Sequence, residues 1–226
     1  QGRGSRRLVW SVDTDEPKVA LTFDDGPDPR LTPEILDILD RYGVVATFMP
    51  MGHNAVTHQS LFDDVVAAGH EIGSHTWSHE SFVDIGPERT REQIVRGAHP
   101  ITCTTGRPPT LFRPPKGRMT EAAFAYIGEL GYDVVLWSVT RGALDERDPA
   151  AIAAHVAGAI GPGDILLLHD GIGRGTFYPG QPMEAELLAR RRSEVATLPR
   201  MLESILDAGL EPCTVSALLD SEVAAR

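Results

Sequence analysis

The sequence predicts an α/β fold in which parallel strands are joined by helices, either a doubly wound sheet or a β/α barrel. Seven short runs rich in β-branched and other apolar residues alternate along the chain with longer amphipathic stretches. The 226 residues, 42% of them hydrophobic, suit one domain with a single large core. No linker or internal repeat divides the chain, so we expect one domain over 1–226, with 1–16 as an N-terminal extension.

The predicted strands are short and apolar. The first, 18–23, has the composition of a buried strand, and a similar run follows at 45–49. Each run is too short for a helix and lies between turn residues or helical patterns. The predicted strands are 18–23, 45–49, 70–73, 110–113, 132–137, 164–168 and 211–215.

The predicted helices are delimited by capping signals. Thr32-Pro33 and Asp148-Pro149 each pair an N-cap residue with a proline at the first helical position, and Gly43 ends the first helix. Apolar residues recur on one face of each helical stretch. The predicted helices are about 32–42, 61–68, 87–101, 120–130, 148–160 and 194–208.

Composition excludes several classes of function. The longest apolar runs fall far below the roughly 20 residues that span a bilayer, so no membrane span is expected. The chain has 21 Lys+Arg against 32 Asp+Glu, a formal net charge of -11, and so acidic a surface repels phosphate backbones. We therefore expect no nucleic-acid partner, and we expect a monomer.

Two further features concern the cysteines and the N terminus. Cys103 and Cys213 either form one disulfide or remain two buried thiols, and we favour the thiols. No signal peptide is visible, but the chain starts at Gln1 without a methionine, as expected for a mature or trimmed terminus. The missing signal is therefore no evidence for a cytoplasmic protein.

Adjacent carboxylates, Asp24 and Asp25, follow the first predicted strand. Two such charges at the end of a buried strand repel each other unless a cation or a hydrogen-bond donor compensates them. The alternative is a simple turn, since Asp-Gly-Pro is good turn chemistry.

A histidine pair, His75 and His79, follows the third predicted strand. The i, i+4 spacing predicts that both rings lie on one face of a helical turn, where they can bind one divalent ion. Together with Asp25 at the same rim, they would form a metal site with open positions for water and substrate. The alternative is a solvated pair on a surface helix.

Two more strand ends carry isolated polar residues. Arg113 precedes two prolines that stiffen the backbone, and its best use is to hold a carboxylate such as Asp24 ionised; the alternative is a surface charge. His169 closes the sixth strand, and strand alternation places it on the same face as Leu167, beside an apolar wall. A structural histidine is the alternative there.

Taken together and in this order, these motifs resemble the polysaccharide deacetylase family, the NodB-homology carbohydrate esterases. The resemblance runs from about Val19 to Leu219. It implies a distorted (β/α) TIM-like barrel with about seven parallel strands. It also implies metal-dependent hydrolysis of an N-acetyl, sometimes an O-acetyl, group on a sugar.

The resemblance implies a role for each motif residue. Asp24 would be the general base with Arg113 as its partner, and His169 would be the general acid. The implied ligands of one divalent ion are Asp25, His75 and His79. We expect zinc, with cobalt or another divalent ion as alternatives.

The resemblance also implies a substrate pocket. Trp137 and Leu167 would enclose the acetyl methyl group, and the backbone N–H after Pro115 would bind the oxyanion. Lys116 stands where the family usually has an aromatic residue of the sugar groove.

Two segments depart from the family pattern. The run after Trp137 lacks the acids that support the catalytic histidine or arginine in relatives, so we expect a lower pKa for His169 and weaker catalysis unless Asp145 or Asp148 compensates. The stretch 171–192 is longer than usual and carries glycines, prolines and an arginine run. We interpret it as a long irregular loop that forms a sugar-binding wall, with a plain surface excursion as the alternative.

The sequence therefore predicts a metal-dependent hydrolase that removes acetyl groups from N-acetylated sugars, in chitin oligosaccharides or in the N-acetylglucosamine of peptidoglycan. The alternatives are an acetylxylan O-deacetylase, a carbohydrate-binding relative with weak catalysis, and a metal-independent relative that acts on cyclic amides. We expect a secreted or envelope-associated protein, with a cytoplasmic one as the alternative.

Overall fold

Strands and helices alternate along the chain in the computed structural model, which describes residues 7–143 and 146–223. The strands are β1 Leu8–Val9, β2 Lys18–Asp24, β3 Thr47–Met49, β4 Glu71–Ile72, β5 Leu111–Phe112, β6 Asp133–Val135, β7 Val139–Thr140, β8 Ile165–His169 and β9 Glu211–Cys213. The α-helices are α1 Thr32–Tyr42, α2 Gly52–Thr57, α3 Gln59–Ala67, α4 Pro87–Thr105, α5 Glu121–Glu129, α6 Pro149–Ala159, α7 Pro182–Asp207 and α8 Val215–Leu219. Short 3-10 segments cover Pro115–Gly117 and Gly173–Phe177.

The named strands pair in parallel within two sheets. One sheet has the order β4-β3-β2-β8-β7, with β9 also paired to the first half of β2, and the other has the order β1-β6-β5. A parallel bridge between Ser74 and Phe112 links the two sheets, and the Ser138 N–H donates to the Ile165 carbonyl oxygen at 3.1 Å. The predicted α/β class with parallel strands is confirmed. These two contacts join the sheets into an incomplete ring of strands.

The central strand β2 separates two apolar clusters. Val19, Leu21 and Phe23 pack toward the helices that cover the sheet, whereas Ala20 points to the other side. Strand alternation therefore places Asp24 on the interior side with Ala20. In the parallel register of β2 and β8, Asp24 pairs with His169. The fold thus brings the ends of two central strands and their polar side chains side by side.

The largest departure from the predicted elements is the start of α7. Residues 182–192 form the first part of this helix, so the predicted irregular loop over 171–192 is wrong beyond 181. Pro182 occupies an initial helical position, and the segment after it consists mostly of strong helix formers, including alanine, glutamate, leucine and arginine. The helix propensity of these residues therefore determines the structure from Pro182 onward. The glycines and Pro179 that suggested a loop lie before the helix.

Several short elements lie outside the predicted set. These are β1, β7, α2 and α8, each of two to six residues. β1 lies within the segment assigned to an N-terminal extension, and it pairs with β6. Leu8 and Val9 of this segment therefore belong to a sheet. Helices in the described part of the chain all lack the length or the apolar content needed to cross a bilayer.

The cysteines are not joined. Cys103 lies exposed on α4, and Cys213 is half-buried in β9. The favoured prediction of two thiols is therefore correct, but the predicted burial of Cys103 is wrong. Cys103 lies on the solvent face of a polar helix, beside His99 Nδ1 at 3.4 Å.

Candidate active site

The carboxylate pair lies at the C-terminal end of β2. Asp24 ends the strand and Asp25 follows it, and each is only 3% exposed. Asp25 has a φ of 78°, which residues other than glycine rarely adopt. Asn54 Nδ2 donates to the Asp25 carbonyl oxygen at 2.7 Å, and the Gly26 N–H donates to Asp170 Oδ1 at 3.0 Å. Because the backbone leaves extended geometry here, both carboxylates line one cavity instead of opposite faces.

Arg113 is completely buried behind Asp24. Its Nη1 donates to Asp24 Oδ1 at 2.7 Å and to Thr22 Oγ1 at 2.8 Å. Its Nε and Nη2 donate to the carbonyl oxygens of Val135 and Leu136 at 3.0 and 2.8 Å. A buried guanidinium is tolerated only with such compensation, and the pair leaves Asp24 Oδ2 free of the arginine.

Both imidazoles of the histidine pair face Asp25. His75 Nδ1 lies 2.7 Å from the Arg113 carbonyl oxygen, and because a carbonyl only accepts, Nδ1 carries the proton. The other ring nitrogen of His75, Nε2, lies 3.6 Å from Asp25 Oδ1, and His79 Nε2 lies 3.5 Å from the same oxygen.

A cation fits between these three side chains. Asp25 Oδ1 is buried and has no hydrogen-bond partner among the described residues. Ligand atoms of Asp25, His75 and His79 all lie within 4.8 Å of one another. One carboxylate oxygen and two imidazole nitrogens form a donor set that divalent metal ions bind. The oxygen here faces both nitrogens and makes no hydrogen bond to another described residue. The group can therefore hold one metal ion.

Electrostatics keep these groups in the protonation states that a metal requires. Burial lowers the pKa of His79 to about 4, so its ring is neutral at neutral pH. Burial opposes ionisation of Asp25, but the facing imidazoles and the Arg191 guanidinium hold the pKa of Asp25 below its ordinary value. Metal binding requires a neutral imidazole and an ionised carboxylate, which is the combination found here.

The segment that carries the two histidines is not helical, so the prediction of a helical turn is wrong. Thr76 and His79 have φ values of 67° and 55°. The His79 N–H donates to Thr76 Oγ1 at 3.1 Å, and the Gly52 N–H donates to the Thr76 carbonyl oxygen at 2.9 Å. Side chain and backbone contacts from neighbouring elements therefore set the approach of the two rings, whose centroids are 5.0 Å apart.

His169 lies at the end of β8, the strand next to β2. Its Nδ1 lies 3.1 Å from Oε2 of Glu194, a residue of α7 that is 2% exposed. The other ring nitrogen, Nε2, is left for the cavity, which His169 lines. Asp24, His169 and the candidate metal group therefore line one cavity.

The cavity has a volume of about 640 Å³. Trp137 and Leu167 line it as the sequence predicts, and exposed Lys116 lies at its edge with a φ of 60°. Pro115 is buried and does not line the cavity. The stretch predicted as a sugar-binding wall does line it, through Arg174, Tyr178, Met183, Leu187, Arg190 and Arg191.

Glu194 is the main residue that sequence reasoning missed. Of the two predicted substitutes, Asp148 caps α6 by accepting from the Ala150 N–H at 3.0 Å, and Asp145 lies outside the described residues. The position of Glu194 contains a usable signal. It continues the buried stripe of α7 that includes Leu198 and Leu202, so a carboxylate occurs where the helix pattern demands an apolar residue.

Asp170 is a second buried carboxyl group that the sequence motifs left unassigned. It accepts from the Gly26 N–H at 3.0 Å and from Thr32 Oγ1 at 2.9 Å, so it holds the turn after Asp25. Burial, reinforced by the nearby Asp25 and Asp24 charges, raises the pKa of Asp170 to about 8. A Cβ atom at Gly26 would lie 1.8 Å from Asp170 Oδ2, so only glycine fits this approach.

Comparison with known proteins decides the family. A family model described as polysaccharide deacetylase matches residues 11–135. The chain belongs to the polysaccharide deacetylase family. This confirms the resemblance seen in the motifs.

Relatives of this deacetylase act on two kinds of glycan, according to their names. A peptidoglycan-N-acetylglucosamine deacetylase of Bacillus cereus is 36% identical over 214 residues, which cover 94% of this chain and 92% of the relative. A chitooligosaccharide deacetylase of Bradyrhizobium is 32% identical over 199 residues, which cover 85% and 86%. The crystal structure of the Bc1960 peptidoglycan N-acetylglucosamine deacetylase is 28% identical, with a TM-score of 0.82 over 95% of this chain and 94% of that one.

Proposed function

We propose that this deacetylase is a metal-dependent hydrolase that releases acetate from the N-acetylglucosamine units of a glycan. The observation that carries the proposal is one cavity that is lined by the Asp25, His75 and His79 group together with Asp24 and His169. Peptidoglycan and chitin oligosaccharides, the substrates named for the relatives, share this sugar. We propose peptidoglycan first, because that relative is the more similar of the two.

The metal group suits zinc. Two imidazoles and one carboxylate are a ligand set that Zn²⁺ favours in catalytic sites, and Co²⁺ or another divalent ion suits the same donors. When bound, the ion supplies Lewis-acid activation of the acetyl carbonyl and of the attacking water.

Asp24 accepts the proton of the attacking water. Its Oδ1 is occupied by Arg113 at 2.7 Å, so Oδ2 is the oxygen that remains for the water. Arg113 favours the ionised carboxylate and fixes its orientation. A base held within a buried pair acts without reorganisation during the reaction.

His169 donates a proton to the departing sugar nitrogen. An amine leaves poorly as an anion, so this proton is needed for C–N bond cleavage. Trp137 and Leu167 supply apolar surface for the acetyl methyl group, and the backbone N–H of Lys116, after Pro115, is the proposed donor to the oxyanion. Lys116 itself lies where the next part of the glycan would pass.

The envelope or the extracellular space is the proposed site of action, and a monomer is the proposed form. The cell-wall substrate named for the Bacillus cereus relative supports the location.

A substrate panel tests the proposed function. Zinc-loaded protein is incubated with N-acetylglucosamine oligosaccharides, peptidoglycan fragments and acetylxylan, and acetate and free amines are measured. We expect one new amine for each acetate released from the first two substrates. Acetate from acetylxylan alone would contradict the N-deacetylase assignment. Glycan binding without acetate would instead indicate a carbohydrate-binding relative.

A further inference from the structure

Glu194 is a buried carboxylate that the motifs of the family do not include. It is 2% exposed and lies on the core side of α7. Burying a charge there destabilises the fold unless partners compensate it. Oε1 accepts from Arg191 Nη1 at 2.9 Å and lies 3.7 Å from Arg141 Nε, while Oε2 lies 3.1 Å from His169 Nδ1.

The two oxygens of Glu194 therefore have different tasks. Burial opposes ionisation, but Arg191, His169 and Arg141 together lower the pKa of Glu194, so it is a carboxylate at neutral pH. An ionised carboxylate only accepts hydrogen bonds, so the proton on this side of the His169 ring resides on Nδ1. The ring is thereby fixed with Nε2 toward the cavity.

The segment after Trp137 and helix α7 each place an arginine against Glu194. The run after Trp137, which lacks the acids expected there, contributes Arg141, and this guanidinium faces Glu194 rather than the histidine. Arg191, one turn before Glu194 on α7, also donates to the Gly171 carbonyl oxygen at 3.1 Å and lies 3.6 Å from Asp25 Oδ2. Helix α7 thus supplies the Glu194 carboxylate and one of its cations, Arg191. The segment after Trp137 supplies the other cation, Arg141.

We infer that Glu194 is the positioning residue of His169, which it holds in one tautomer and one orientation. The inference rests on the proposed function, in which His169 gives up a proton. The titratable groups that face His169 from the surrounding elements are Glu194, Asp25 and His79.

One substitution tests the inference directly. Glu194→Gln replaces a carboxylate, which only accepts hydrogen bonds, with an amide that can also donate, so the His169 ring is no longer held in one tautomer. We expect kcat on an N-acetylglucosamine oligosaccharide to fall roughly 10²-fold, with KM and zinc content unchanged.

Controls separate positioning from folding. Glu194→Asp keeps the charge and should restore part of kcat. Glu203→Gln makes the same chemical change on an exposed part of α7, where Glu203 accepts from Tyr42 Oη at 2.9 Å, and should leave kcat and KM unchanged. A lower melting temperature for Glu194→Gln with an unchanged kcat would show a purely structural role and overturn the inference.

A measurement independent of activity completes the test. ¹⁵N shifts of the His169 ring in the zinc-loaded protein should show a proton fixed on Nδ1, and Glu194→Gln should show a mixture of tautomers. The same mixture in the wild type would overturn the inference. An inactive wild type with a fixed tautomer would contradict the proposed function and leave the role of Glu194 in place.

Discussion

Asp24 and Asp25 are neighbours in the chain, yet the fold gives them different partners. Asp24 faces the Arg113 guanidinium, whereas Asp25 faces the two imidazoles of His75 and His79. The sequence could predict that these residues meet, because the carboxyl ends of parallel strands gather at one rim. The helix pattern marks Glu194 as a buried carboxylate, but its contact with His169 could not be predicted, since that contact depends on how α7 packs across β8.

Asp24→Asn tests the division of labour between the two aspartates. The amide is nearly isosteric but cannot take a proton from water, so acetate release should fall roughly 10²- to 10⁴-fold, the range contributed by a general base. Zinc content should stay at the wild-type value, because Asp25 and both histidines remain. Melting should occur at lower temperature, since the buried Arg113 loses its counter-charge.

Near-normal turnover of Asp24→Asn would refute the base assignment. Loss of both zinc and turnover would show instead that Asp24 contributes to the metal group. Asp24 Oδ2 lies 3.7 Å from Nε2 of His75, a member of that group.

At the level of elements, the predicted cap Asp148 does cap α6, whereas the predicted cap Thr32 is already the first residue of α1 and does not cap it. Intrinsic propensity explains the early start of α7. The histidine segment shows where local pattern fails. The i, i+4 spacing fits a helical turn, but Gly52 and Gly97 from two helices pack against the backbone of Thr76 and fix a different path. Such long-range contacts have no signature in a single sequence.

Gly97→Ala tests this packing of α4 under the histidine segment. A Cβ atom at Gly97 would lie 2.4 Å from the Thr76 carbonyl carbon, so the segment must shift. We expect a loss of about 1–3 kcal/mol in the free energy of unfolding and weaker zinc binding, measured by thermal melting and competitive chelation. Gly158→Ala is the matched control, because it lies in α6 with nothing within 4 Å of its Cβ and should stabilise by about 0.5–1 kcal/mol.

Unchanged zinc affinity in Gly97→Ala, with the expected loss of stability, would show that the two histidines do not depend on this contact.

At the scale of the whole molecule, the chain is acidic overall, with a formal net charge of -11, but its cavity is not. The charged side chains that line the cavity are Asp24, Asp25, Glu194, Lys116, Arg141, Arg174, Arg190 and Arg191. The composition therefore predicted the outer surface and missed the basic cavity, because net charge carries no information on position. The fold class was predictable, since alternating elements favour parallel strands with helical crossovers.

The two thiols differ in burial, so their reactivity tests how β9 is packed. Burial raises the pKa of Cys213 to about 11, whereas Cys103 is exposed. At pH 8 only about one in a thousand Cys213 side chains is a thiolate, the reactive form. One fast-reacting thiol is therefore expected in the native protein and two after unfolding, and the reactivity of Cys213 should increase as pH rises toward 11. Two equally fast thiols in the native state, counted with a chromogenic disulfide reagent, would contradict the packing of β9.

The central claim is that the Asp25, His75 and His79 group holds one ion that deacetylation requires. Its most direct test is a titration in which zinc is added back to chelator-treated protein while acetate release from an N-acetylglucosamine oligosaccharide is followed. We expect no acetate from the stripped protein, a rate that rises to a plateau at about one equivalent of zinc, and no recovery for Asp25→Ala. Full acetate release by protein shown to be metal-free by elemental analysis would contradict it.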